Sequence, residues 1–450
     1  MHRSNPCPGP LNRRDLLRMG LLGAGGLALP DVLRLQAASA AAGPALPPDT
    51  SVILLFCHGG PSHLDTYDLK PEAPSEYRGP FKPIKTNVSG MEISELFPLQ
   101  AKIADKFSLI RSVSHGNFGH QDGAQAFMTG RPITGVRDKP ENPDWIAVTA
   151  RLREERSGTL PPSIGLPPVE YSGPGFLGPS YAPFVVQGDP DNAVFAVQDL
   201  PFGDAAYTGR LERRQRIRIS VDAMRADLHA SAEEQAHDRF YQKAIDMTAG
   251  GEAARAFDLK READAVRDRY GRNRWGQSCL IARRLVEAGV SVVTAALYSA
   301  DKSPSSNWDD HAVNWHIFDA MRQRAPFYDQ AVSALIQDLY QRGLDKKTLL
   351  IVTGEFGRTP KIEYTNGRPG RDHYAHAMSI LVSGGGMKMG QVVGSTDSLG
   401  EHPDERPLTP AHFCETVYRH LGIDTSQEFI DHSGRPMRIL PPAEPISELL

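Results

Sequence analysis

Cysteine is scarce in this chain: four among 450 residues, at Cys7, Cys57, Cys279 and Cys414. Their scattered positions offer no paired spacing, so a disulfide framework is not expected. Cys279 and Cys414 lie in apolar helical stretches and read as core residues. An excess of positive charge is missing as well. Lys and Arg number 50 against 54 Asp and Glu, a net charge of -4, which gives nucleic acid no electrostatic footing. The apolar stretch from Met19 to Leu29 is too short to span a bilayer and ends at Pro30-Asp31, so no transmembrane segment is expected in the mature chain. No internal repeat is visible.

What is present starts with an export signal. Asn12-Arg13-Arg14-Asp15-Leu16-Leu17-Arg18 resembles the twin-arginine pattern. The apolar stretch follows it, and Ala38-Ser39-Ala40 offers small residues to a signal peptidase. Residues 1–42 are therefore expected to be removed, and the mature protein to act in the periplasm or outside the cell. That route carries folded proteins, so a metal loaded in the cytoplasm is compatible with it.

The whole chain has an ordinary globular composition, 40% hydrophobic and 23% charged, and residues 48–450 are chain enough for one large core. Plentiful Gly (41) and Pro (36) favour long ordered loops. Apolar runs predict strands at Ser51 to Cys57, Phe107 to Val113, Ser291 to Tyr298, Thr348 to Thr353 and Met378 to Ser383. A long Pro-rich loop is expected up to Pro98. Helices are expected at Ala124–Met128, Trp145–Leu152, Arg274–Ala288, Phe327–Arg342 and Pro410–Leu421. Ile217, Val221, Met224 and Leu228 recur at helical spacing, and a second charged helix is expected from Glu252 to Tyr270. Residues 208–270 thus read as an inserted helical hairpin, peripheral to the chemistry. Strands alternating with helices predict an α/β fold, a mainly parallel sheet with helices on both faces.

Ligands of such sheets gather at the carboxyl ends of the strands. His58, His63 and Asp65 follow the first strand, and His115 and His120 the second. Asp309 and His311 follow the third, and Glu355 and Arg358 the fourth. Asp372, His373 and His376 precede the fifth. Imidazoles and carboxylates are the ligand types of Zn, Mn or Fe centres. Singly, each has a plainer reading: Asp309 is a good helix N-cap, and Glu355 is placed to pair with Arg358. Five clusters around one sheet favour one or two divalent ions.

Two stretches then resemble a known family. His58-Gly59-Gly60-Pro61-Ser62-His63-Leu64-Asp65 and Gly354-Glu355-Phe356-Gly357-Arg358-Thr359-Pro360, the latter followed by Gly370-Arg371-Asp372-His373, are similar to an uncharacterised bacterial family, domain of unknown function fifteen-oh-one. Trp308-Asp309-x-His311, Tyr270-Gly271-Arg272 and Ser433-Gly434-Arg435-Pro436 agree. That family is similar to the alkaline phosphatase and sulfatase superfamily. The resemblance implies an alkaline phosphatase/sulfatase-like fold and metal-dependent hydrolysis of phosphate or sulfate esters, on a small or polymeric anionic substrate such as a polysaccharide. It implies metal ligands at His58, Asp65, Asp309, His311, Glu355 and His373, with His376 as a substitute, and Arg358 or Arg131 as charge-neutralising groups. His120 falls where the superfamily carries its nucleophile. No formylglycine can form from a histidine, and Phe356 replaces a ligand. The attacking group is then His120 itself or a metal-bound hydroxide; equally, His120 is another ligand. A His-rich set suits Zn, Mn or Fe better than Ca. The rival expectation is a binding or scaffold protein on the same fold, its nucleophile lost.

Overall fold

The computed structural model describes residues 49–450 apart from 155–157, 299, 301–306 and most of 193–250. The Arg13-Arg14 signal and most of the first half of the expected hairpin at 208–270 lie outside the described residues.

Eight strands form one sheet: Ser51–Phe56 (β1), Ser108–Val113 (β2), Ser163–Gly165 (β3), Phe184–Val185 (β4), Val292–Ala296 (β5), Thr348–Thr353 (β6), Met378–Gly384 (β7) and Val392–Val393 (β8). Across the sheet the order is β8-β2-β7-β6-β1-β5-β3-β4. β1 lies parallel between β5 and β6, with Ile53 opposite both Val293 and Leu350. All residues of β1, β5, β6 and β7 are buried, as near-continuous apolar strands covered on both faces should be.

The main helices are His120–Thr129 (α1), Trp145–Leu152 (α2), Arg274–Glu287 (α3), Ile317–Gln341 (α4) and Pro410–His420 (α5). Ile53 and Leu55 join a core cluster with residues of α3 and α4. Their neighbours Val52, Leu54 and Phe56 point to the opposite face by strand alternation and are equally inaccessible. The expected α/β class holds.

One strand reverses. β7 runs antiparallel to both its neighbours, β2 and β6, while the other pairings are parallel. A strand running backwards starts where its neighbours end. Residues just before β7 therefore meet residues just after β1, β5 and β6 at one edge of the sheet.

Three local expectations need correction. α4 begins at Ile317 rather than Phe327 and carries Pro326 inside it; a proline removes one helical hydrogen bond, but the helix starts well before it, capped by the His316 side chain on the Asp319 amide. Glu252 to Tyr270 is two short helices, Glu252–Phe257 and Asp264–Tyr270, around the 3-10 turn Leu259–Arg261. Ala253, Phe257 and Tyr270 of this segment are buried in the main core. The Pro-rich stretch before Pro98 holds a strand pair, Pro83–Lys85 with Glu92–Ser94, beside buried Met91 and Ile93.

Candidate metal centre

β1 ends in the turn His58-Gly59-Gly60-Pro61. Gly59 and Gly60 have φ of +106° and +83°, and a Cβ on them would come within 2.6 Å of the Asp309 amide nitrogen and of the Phe356 ring respectively. Glycine is needed at both for the backbone to approach so closely. The Gly59 amide donates to Glu355 Oε1 at 2.9 Å, and the Trp308 amide to the His58 carbonyl at 2.9 Å. The loops after β1, β5 and β6 are thereby fastened together. The fourth comes from β7: Gly357–Arg358 pairs with His373–Tyr374, setting His373 opposite Arg358.

Asp309 is the hub. Its Oδ1 lies 2.8 Å from His311 Nε2 and 3.0 Å from His373 Nε2, and its Oδ2 lies 3.3 Å from His120 Nε2. The other nitrogen of each ring has its own acceptor. His120 Nδ1 meets Glu355 Oε1 at 2.6 Å, His311 Nδ1 meets Asp372 Oδ1 at 2.6 Å, and His373 Nδ1 meets the Phe118 carbonyl at 2.8 Å. With a cation seated between the Nε2 atoms and Asp309, each neutral ring keeps its single proton on Nδ1. In the neutral rings, three Nε2 lone pairs then converge on one carboxylate. His311 Nε2 and His373 Nε2 stand only 3.1 Å apart, so a cation, proton or metal, belongs between them. These separations are close to the edge of a tetrahedron with metal-ligand bonds of about 2.0–2.1 Å, roughly 3.3 Å. Nδ1–H donated to carboxylate or carbonyl is the outer-shell pattern of metal-binding histidines.

The charges respond accordingly. Burial would depress the His120 imidazolium, but Asp309 and Glu355 outweigh it and push its pKa up to about 9. Burial would also raise the Asp309 carboxyl. Hydrogen bonds from His120, His311 and His373 and the charge of Arg358 instead hold it far below the ordinary range. His311 is raised, first by its bond to Asp309.

A second group abuts the first. His58, His120 and Glu355 can each offer a ligand atom within 4.8 Å of one another, as can His120, Asp309 and His373. Glu355 is fully buried. Burial raises its carboxyl, and the His120 hydrogen bond, the larger of the opposing influences, helps bring it below its ordinary value. Glu355 Oε2 and His58 Nδ1 are buried without a hydrogen-bond partner among the described residues. Two orphaned polar atoms in one buried cluster fit a missing cation.

The other expected residues fall elsewhere or act differently. Arg358 is fully buried. It donates to the Gly60 carbonyl at 2.9 Å, the Arg371 carbonyl at 3.1 Å, the Gly59 carbonyl and Asp309 Oδ1. Its donors are occupied by the chain, so it clamps loops instead of facing an ester. Arg131 lies past the far end of α1, about 15 Å of helix from His120. It donates to the Arg438 carbonyl and lines a separate cavity of about 300 Å³ with Ser114 and Pro410. Asp65 does not join either ligand group: it is buried against Arg371 Nε at 2.8 Å and Ser62 Oγ at 2.6 Å. His376 stands among Phe118, Tyr374 and His402, also outside both groups. His63 bonds the Gly400 carbonyl at 2.8 Å, and His115 the Glu355 carbonyl at 2.8 Å. Both are supports.

Glu170 was not anticipated. Its half-exposed carboxylate lies 3.3 Å from His58 Nε2, beside Tyr298 and Tyr171, whose rings flank His58 at 5.3 and 6.1 Å. Tyr171 holds a φ of +60°, uncommon for a bulky residue. Glu170 lies in a Pro- and Gly-rich loop, where no spacing signals a ligand.

Comparison with known proteins adds a family. Residues 49–450 match the family described as "Protein of unknown function (DUF1501)". No curated protein matches the chain in sequence. Among solved structures, the chain is similar to the PsFucS1 sulfatase from Pseudoalteromonas sp. at 14% identity and a TM-score of 0.37, covering 87% of this chain and 70% of that one. It is similar to the lipoteichoic acid synthase LtaP from Listeria monocytogenes at 10% and 0.33, covering 87% and 78%. It is also similar to the phosphonate monoester hydrolase SpPMH from Silicibacter pomeroyi at 12% and 0.33, covering 84% and 74%.

Proposed function

This chain belongs to the DUF1501 family, and on that footing we propose that it is a metal-dependent hydrolase of phosphate or sulfate esters. The observation that carries the reading is the convergence of three imidazole Nε2 atoms on Asp309, each ring held by an acceptor at Nδ1. Divalent ions held by Asp309, His120, His311, His373, His58 and Glu355 would stabilise the charge that develops on the ester oxygens. An imidazole-rich donor set favours Zn, Mn or Fe over Ca.

Charge supports an anionic substrate only with metal present. Asp309, Glu355, Asp372 and Glu170 surround the site, and Arg358 is the basic side chain that reaches them among the described residues. With neutral imidazoles this leaves three negative charges; one divalent ion does not cancel them and two do. The chain's own residues hold the geometry. Arg358 fixes the β1 turn to Asp309. The buried Phe356 ring packs against His120 and His373 at 5.5 and 4.7 Å and excludes water behind them. His120 is a poor nucleophile, because both its nitrogens face carboxylates. Cys57 is no better: it packs in the core, and burial pushes its thiol well up. Water is then the attacking group.

The test is metal analysis of the natively exported protein together with turnover of aryl phosphate, phosphonate and sulfate esters. Asp309→Asn is expected to lower metal affinity and turnover together, by at least about 100-fold. One observation favours a second reading, a metal-containing binding protein: no free side-chain nucleophile faces the centre among the described residues. Metal-loaded protein that turns over none of these esters would replace the first reading with the second.

The site of action under this proposal is the periplasm or the exterior. The twin-arginine pattern at Arg13-Arg14 supports it, and no helix among the described residues is long and apolar enough to cross a membrane. Lysine lacks the planar guanidinium, so Arg13→Lys with Arg14→Lys should strand precursor in the cytoplasm. Normal export of that double variant would overturn this.

A further inference from the structure

His120 is the residue common to both ligand groups. Its Nδ1 is turned to Glu355 Oε1 at 2.6 Å and its Nε2 to Asp309 Oδ2 at 3.3 Å. A simple orienting role for Glu355 explains the first contact: a carboxylate takes the Nδ1 proton and aims Nε2 at one metal. It does not explain two other facts. Glu355 Oε2 and His58 Nδ1 are both buried and both lack partners among the described residues, although each residue is less than a tenth exposed. His58 uses its other nitrogen on Glu170, which leaves the buried Nδ1 as a lone pair. His58, His120 and Glu355 each offer a ligand atom within 4.8 Å of the others, and imidazole and carboxylate at such spacing form a cation site in their own right.

We infer that the His120 imidazole bridges two metal ions, binding one through Nε2 beside Asp309 and His373 and the other through Nδ1 beside His58 and Glu355. The inference rests on the metal-centre reading above and extends it. The bridge changes no oxidation state. The Nδ1 proton leaves to solvent as the second metal-nitrogen bond forms. In this arrangement the ring holds the two ions at a fixed separation and takes no part as a nucleophile.

Copper(II) added stepwise to the metal-stripped full chain, followed by electron paramagnetic resonance, tests this. A bridging imidazole couples two copper spins. The signal should therefore rise to one equivalent and then fall towards zero at the second. His58→Ala should stop at one equivalent with the full signal retained. His120→Ala should abolish the fall. A signal that doubles at two equivalents, or wild-type binding that ends at one, overturns the bridge. Ester turnover alongside additive signals would sink the bridge and leave the hydrolase standing, whereas a chain that binds no metal at all sinks both.

Discussion

Asp65, in the short helix His63–Thr66 after β1, and Asp309, in the loop after β5, both look like ligands by position. Their surroundings differ in kind. Asp65 is fully buried against Arg371 and Ser62, a permanent cation and a hydroxyl. Asp309 is about a fifth exposed and faces three imidazoles as well as Arg358. An arginine cannot give up its proton to make room for a metal, but an imidazole can. The partner therefore separates a structural carboxylate from a candidate ligand more sharply than burial or sequence position does.

The strongest way to break this contrast is Asp65→Ala. It should leave Arg371 buried without its countercharge and cost about 3–5 kcal/mol of stability. Denaturant unfolding measures the loss, and metal content per folded molecule should stay at the wild-type level. Metal loss in that variant would mean that Asp65 and Asp309 do one job. Asp372→Asn sharpens the other side. It weakens the acceptor of His311 Nδ1, so metal affinity should fall about 10–100-fold while metal-free stability barely changes. Competition with a chelator, beside a melt of the stripped protein, would show both.

A third carboxylate gives the smallest effect. Asp144 caps α2 through the Ala147 amide. Burial, the chief influence, raises its pKa from 3.8 to about 6. The folded state therefore keeps a proton between about pH 4 and 6 that the unfolded state has already lost. Stability should fall as pH rises through that window, by on the order of 1 kcal/mol per pH unit. Asp144→Asn keeps the capping oxygen and should flatten that slope in unfolding measured across the range. An unchanged slope would show that burial there does not penalise the charge.

Much of the sheet was legible because β1, β6 and β7 are short runs dominated by apolar residues, with Gly or a charged residue within a few positions of their ends. The candidate ligands stood out because histidine and acid clusters recur after such strands. Strand direction was not legible: nothing in Met378–Gly384 distinguishes an antiparallel strand from a parallel one, since both faces are covered either way. Asp65 was misread because its partner Arg371 lies 306 positions away. Arg358 sits beside the candidate ligands, but which of its donors remain free depends on carbonyls at Gly59, Gly60 and Arg371. Glu170 carried no periodicity to betray it. The helix was read only from Phe327, whereas it starts at Ile317 and absorbs Pro326.

The reversal of β7 has a consequence for how such a protein can diversify. Because the chain leaves β6 and re-enters β7 at the same edge, the segment between them is a handle pinned at both roots. Glu355 and Arg358 anchor one root, Asp372 and His373 the other. Between the roots rises a small hairpin, Glu363–Thr365 with Arg368–Gly370. Its tip is Asn366-Gly367, both at positive φ, a pair suited to a tight two-residue turn. The tip is exposed, and a Cβ on Gly367 would touch nothing. Lengthening a loop at such a point costs little in closure entropy. The outer part of this handle can therefore be exchanged for another of different length and chemistry without moving either root. New contacts can arise there while the geometry of the candidate ligands stays as it is.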